Sequence, residues 1–425
     1  MSIRVECSGC QKKYQVADTA AGKSIRCKVC GTTTKIPAPE EPDDDAFLAE
    51  LSEEDAADDG SQDELPAVRP AGRRIAQETR KPARSRSSSL GKWLLIIAGS
   101  GAVLLLLCCG GGYFFVSSML KTPPPSAQAN EPFPVETLRA PAFPELGPPQ
   151  TIGETGVQLY YLDLSAANPG NTQPAARTQL RVYVPPGEHG DASLGCVLVA
   201  PAGTNLLTGN ALDDPTYHTE TLPYARAGYV AVTYSLDGAL PAGSNGSSDD
   251  DLAVAYHGFS ASFAGLANAR AALEFVLARL PQVDRRRIFA AGHSSAGTLA
   301  LLFAEHEPRL KGCIAYAPAT DVEGHLGVML GLAVATKKFP GIVDFARRSS
   351  PQTHVARIQC PVFLFWAADD SMVISGIERF ATALKNVRQD VTVKTVPTGG
   401  HFDSMVDPGI GLAIEWLKRL PGETN

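Results

Sequence analysis

The chain has 425 residues, 38 Lys and Arg against 45 Asp and Glu, and a formal net charge of -7. That length exceeds one ordinary domain, and the negative balance argues against a general nucleic-acid binder. Nine cysteines fall into three groups that need separate explanations: Cys7, Cys10, Cys27 and Cys30; Cys108 and Cys109 in an apolar run; and Cys196, Cys313 and Cys360 further on.

Residues 1–37 read C-x2-C, sixteen residues, C-x2-C, with a short β-prone stretch after each pair. Two such knuckles present the thiolates of Cys7, Cys10, Cys27 and Cys30 tetrahedrally, which suits Zn2+ at about 2.3 Å per Zn–S bond. A segment this short buries too little apolar surface to fold unaided, so the metal is expected to supply its folding energy. Residues 6–36 resemble the finger-like zinc ribbons at the N-termini of some bacterial membrane proteins, a resemblance that implies a structural Zn2+ and leaves the ribbon's own partner unknown.

Residues 38–90 lack hydrophobic periodicity, with an acidic first half and a basic, Ser/Pro-rich second half, the composition of a disordered tether. No charge occurs between Lys92 and Lys121, and 91–120 reads as one transmembrane helix. Arg73, Arg74, Arg80, Lys81, Arg84, Arg86 and Lys92 precede it, against Lys121 and Arg139 after it. The positive side stays inside. That predicts a single-pass cell-membrane protein with a cytoplasmic ribbon and an extracytoplasmic C-terminal domain. Residues 121–150, rich in proline, read as a spacer.

From 151 to 425 strand and helix patterns alternate. Residues 158–164 and 179–184 suggest an antiparallel pair, 196–200 and 229–234 read as buried strands, and 311–316, 361–366 and 391–396 read as further strands. Helical patterns run from about 260 to 280, about 375 to 387, and again near the C-terminus. Such alternation predicts an α/β fold, a mostly parallel sheet with helices on both faces.

The chemistry centres on Gly292-His293-Ser294-Ser295-Ala296-Gly297, between an apolar strand and a helix. A serine at the tip of so tight a turn needs small residues two before and two after it, which Gly292 and Ala296 supply. The Ser295 amide then faces the oxyanion formed when Ser294 attacks a carbonyl. Ser295 is the rival nucleophile, rejected because His293 would fill the glycine slot. Downstream, Asp370 follows the strand 362–366 and His401 follows 391–396, giving the order Ser, Asp, His. His401 is expected to move the Ser294 proton and Asp370 to orient the ring; Asp369 and Asp403 compete for the acid role. Pro201 has no N–H, so Ala202 or Gly203 is expected to supply the second oxyanion donor.

Residues 180–420 resemble the catalytic domain of the α/β-hydrolase superfamily, nearest the prolyl oligopeptidase and dienelactone hydrolase group, in the stretches RRRIFAAGHSSAGTLALLFA, SSPQTHVARIQCPVFLFWAADDSMV and VPTGGHFDSM. The resemblance implies a serine hydrolase with Ser294, Asp370 and His401 as its triad and no catalytic cofactor. Ala296, Trp366-Ala367 and Pro201-Ala202-Gly203 depart from the family pattern. The expected function is a membrane-anchored serine hydrolase acting on a small ester or peptide. The second reading is a transmembrane receptor with a non-catalytic, ligand-binding hydrolase-like domain. Residues 322–352 lie where this fold often inserts a lid.

Overall fold

The computed structural model describes residues 122–421, apart from 213–215, 242–243, 245, 247 and 373, together with four short N-terminal strands. The chain divides into two compact units, 1–85 and 86–425. In the first, β1 (Ser2–Glu6) pairs antiparallel with β2 (Lys13–Ala17), and β3 (Ser24–Arg26) with β4 (Thr33–Lys35).

The second unit holds a nine-stranded sheet. Its strands are β5 (Gln150–Thr151), β6 (Gln158–Asp163), β7 (Gln179–Val184), β8 (Leu194–Val199), β9 (Val230–Tyr234), β10 (Val283–His293), β11 (Gly312–Tyr316), β12 (Val362–Ala367) and β13 (Val391–Val396). Their spatial order is β13-β12-β11-β10-β8-β9-β7-β6-β5. From β13 to β9 all neighbours are parallel, and β7, β6 and β5 join antiparallel at one edge. Strands β8, β9, β11 and β12 are almost wholly buried, the state of central strands covered on both faces. One apolar layer packs beneath α1 (Thr216–Arg226) and α8 (Ile410–Leu417). The opposite layer takes in α2 (Asp249–Ala261), α3 (Leu266–Arg279), α4 (Ser295–His306), α5 (Val322–Thr336), α6 (Ile342–Arg348) and α7 (Ile374–Val387). This is the layering of an α/β-hydrolase fold.

The wider architecture expected from the sequence is corrected here. Among the described residues no three His, Cys, Asp or Glu side chains are placed to hold a metal ion, and no helix is long and apolar enough to cross a membrane. What the N-terminal strands show is main-chain pairing, two by two, with no metal cluster among them. The Zn2+, the membrane span, the single-pass topology with its cytoplasmic ribbon partner, and the receptor reading built on them are therefore not carried forward. Cys7, Cys10, Cys27, Cys30 and residues 91–120 lie outside the described residues.

Two local differences have clear causes. The helix expected from about 260 begins at Leu266 as α3, because consecutive positive φ at Phe263, Ala264 and Gly265 breaks the chain there; a separate helix, α2, precedes it from Asp249, where the Ser248 hydroxyl accepts from the Asp251 amide. The proline-rich stretch after 122 lies on the body of this unit. Phe133 is 4% exposed and stacks on Phe263 at 5.5 Å, with the Arg348 guanidinium 4.5 Å from its centroid. Burying such a ring contributes roughly 2–3 kcal/mol, and Arg348 also donates to the carbonyls of Glu131 and Pro132.

Candidate active site

Strand β10 delivers Ser294 to the sheet's C-terminal edge, the edge where parallel α/β folds gather their loops. Register pairs His293 with Tyr316, and the Ser294 amide donates to the Tyr316 carbonyl at 2.9 Å. Ser294 has φ 53° and ψ -124°, a conformation that costs a non-glycine residue of order 1–3 kcal/mol and survives only where its surroundings enforce it. They do: α4, which follows at once, is buried along its whole length. A Cβ on Gly292 would lie 2.2 Å from the Ala296 carbonyl oxygen and 2.9 Å from the Ala296 methyl. The room that a second glycine usually gives is thus supplied by Gly292, and Ala296 fits.

Strand β12 places the acid. Asp370 is 3% exposed; its Oδ1 accepts from the Met372 amide at 3.1 Å and its Oδ2 lies 2.7 Å from His401 Nδ1. His401 Nε2, on the far side of the ring, is buried without a hydrogen-bond partner. With Nδ1–H donating to the carboxylate, Nε2 carries the free lone pair that a general base needs. Ser294 Oγ is not hydrogen-bonded to it, and hydroxyl–imidazole bonds of this kind often tighten only with substrate.

Asp369, the rival acid, has other work. Its two carboxylate oxygens accept from the amides of Gly399 (3.2 Å) and Gly400 (3.0 Å). These residues have φ of 124° and 58°, so glycines there let the chain turn back and present its amides. Ser404 closes the same loop, its amide donating to the Gly399 carbonyl and its hydroxyl to that of Gly400.

The loop after β8 lies on the other side of the elbow. The Thr204 amide donates to Ser295 Oγ at 3.1 Å, tying this loop to the first turn of α4. The Ala202 carbonyl accepts from both Asn210 Nδ2 and the Tyr217 hydroxyl. A trans peptide points its N–H opposite to its C=O, so the two donors on Ala202 O also fix the direction of the Gly203 N–H. Asn210 and Tyr217 carried no sequence signal; their contact depends on how α1 folds back over the loop. The structure therefore brings His401 and Asp370 together and joins Ser295 to the Ala202–Thr204 loop. Among the other titratable groups at this edge, burial and the neighbouring His401 push the His293 imidazole down to about 3.

Residues 265–414, from the start of α3 into α8 and including Ser294, Asp370 and His401, match the family model described as prolyl oligopeptidase family. Over 111 residues the chain is 31% identical to the acetyl esterase Axe7A of Xylanibacter ruminicola, which is 23% of either protein; the chain thus spans about a quarter of that relative's length. Among solved structures it is similar to the acetyl xylan esterase from Paenibacillus sp. R4, with TM-score 0.48, 16% identity, and coverage of 71% of this chain and 98% of that one. A puromycin-hydrolyzing peptidase of Mycobacterium tuberculosis gives TM-score 0.46 and 18% identity, with 63% and 40% covered. At such scores these likenesses carry no conclusion about substrate. The fold and the family match point to a serine-hydrolase-type esterase or peptidase activity, as the sequence led us to expect.

Proposed function

We propose that the domain expected over residues 151–425 is a serine hydrolase that cleaves an ester or peptide bond through an acyl-enzyme on Ser294. The observation that carries this reading is the 2.7 Å pairing of His401 Nδ1 with buried Asp370, which leaves Nε2 free at the edge where the strained elbow holds Ser294. Ser294 Oγ attacks the substrate carbonyl carbon while its proton passes to His401 Nε2. The oxygen that gains charge is held by the amides of Ser295, at the N-terminus of α4, and of Gly203, which the anchored Ala202 carbonyl orients. Collapse breaks the bond to the leaving group, which takes the proton from Nε2. Water then repeats the sequence and frees the acid. Asp370 stabilises the imidazolium throughout. The acetyl esterase among the relatives makes a short acyl ester the first substrate to assay.

The test is labelling of the full chain with a fluorophosphonate probe, mapped by mass spectrometry, alongside hydrolysis of p-nitrophenyl acetate. Label is expected at Ser294, and Ser294→Ala should lose turnover by about 10⁴-fold or more without a change in melting temperature beyond a few degrees. Turnover equal to wild type in that variant would sink the assignment.

A further inference from the structure

His293 stands between the glycine of the elbow and the proposed nucleophile, and no step above uses it. It is 4% exposed. Its Nε2 lies 2.7 Å from the main-chain carbonyl oxygen of His401, and its ring packs 4.7 Å from the His401 ring and 5.8 Å, edge-on, from Phe402. A carbonyl oxygen only accepts, so Nε2 carries the proton and Nδ1, buried with no partner, is the bare nitrogen. We propose that His293 is a positioning residue: its Nε2–H, bonded to the His401 carbonyl, holds the loop of the proposed general base at a set distance from the strand that ends in Ser294.

The neighbouring moorings show why such a bond is needed. Asp369 ties Gly399 and Gly400 to the end of β12, and Ser404 closes the loop on itself. Those bonds fix the loop relative to Asp370, but neither reaches β10. His293 supplies that link, from the residue next to the nucleophile to the main chain of the base itself. Misplacement of a reacting group by about 1 Å costs on the order of 10²-fold in rate. An uncharged ring is also required in this position, since a second cation 4.7 Å from His401 would oppose formation of the His401 imidazolium.

The inference rests on the serine-hydrolase reading, and its test separates the two. Full-length wild type, His293→Phe and His293→Gln are compared by hydrogen–deuterium exchange over residues 398–405 and by the rate of fluorophosphonate acylation, with thermal melts confirming folding. Phenylalanine keeps the ring and loses the donor, whereas the glutamine amide restores a donor near the place of Nε2. We expect faster exchange and roughly 10²-fold slower acylation in the Phe variant, with KM for an ester changed by less than about threefold, and recovery of most of both losses in the Gln variant. A folded Phe variant that acylates within about twofold of wild type, or a Gln variant no better than Phe, overturns the tether. Wild type that takes no label refutes the hydrolase reading instead; exchange then decides alone, and an unchanged loop in the Phe variant overturns the proposal.

Discussion

Adjacent carboxylates at the end of β12 are given different tasks by where their oxygens point. Asp370 is buried and faces the imidazole; Asp369 is exposed and gathers two loop amides. Asp370→Ala should lower kcat by about 10³–10⁴-fold, because the ring loses both its tautomer and its counter-charge. Asp369→Ala should cost only about tenfold, through slackening of the loop. Steady-state kinetics on one ester for both variants checks the order. Which of the two neighbours meets the histidine was open to sequence reasoning only through their offset from the strand end. The second role was not legible at all, since it depends on Gly399 and Gly400 adopting positive φ 30 residues away.

At the scale of elements, the strands were the most legible part. Residues 391–396 form β13 and β6 and β7 pair antiparallel, both as expected, and the covered central strand β12, Val-Phe-Leu-Phe-Trp-Ala, shows in the sequence as an unbroken apolar run. Helix α1 was missed: its segment reads Thr-Tyr-His-Thr-Glu-Thr-Leu-Pro, with a proline inside and no apolar periodicity. The apolar stretch within 322–352 is partly core and partly exposed. Helix α5 kinks at Gly327, with Leu326 and Leu330 buried and Val328 and Leu332 exposed by 67% and 41%. The proline-rich stretch is the largest surprise, since composition signals a spacer and says nothing of a single aromatic with a pocket waiting. Phe133→Ala should destabilise the protein by about 3–5 kcal/mol, read as a fall in the midpoint of a urea melt, while leaving the KM for a small ester unchanged.

Over the whole molecule, stability carries two opposed pH dependences. Burial holds the imidazoles of His293, His306 and His354 below their ordinary value, to about 3 for His293 and about 4 for His354. Their contribution is complete above the unfolded value near 6.5 and is lost as pH falls through it, because only the unfolded chain then takes up protons. Glu305 has the opposite sense. It is 3% exposed, both its carboxylate oxygens lack a partner, and burial raises its carboxyl well above the usual range. Above about pH 4.5 the unfolded chain sheds a proton that the folded one keeps, so stability falls as pH rises. Glu305→Gln should therefore match wild type near pH 4 and melt at a progressively higher temperature toward about pH 8. Calorimetry at three pH values across that range checks it, and a difference that shrinks with rising pH would contradict the sign.

The Phe133 amide donates to His306 Nε2 at 3.1 Å, and that bond sets a limit on how this protein can be shortened. A sheet that begins at Gln150 and a family match that begins at residue 265 both invite a cut between the prolines and the first strand. Such a cut would leave Phe263 and Phe345 facing water and the Arg348 guanidinium without its aromatic cover. The described body of this unit therefore extends ahead of its first strand, held there by Phe133 together with the bonds of Ser126 to Asp344 and of Arg270 and Arg279 to the carbonyls of Val135 and Phe143.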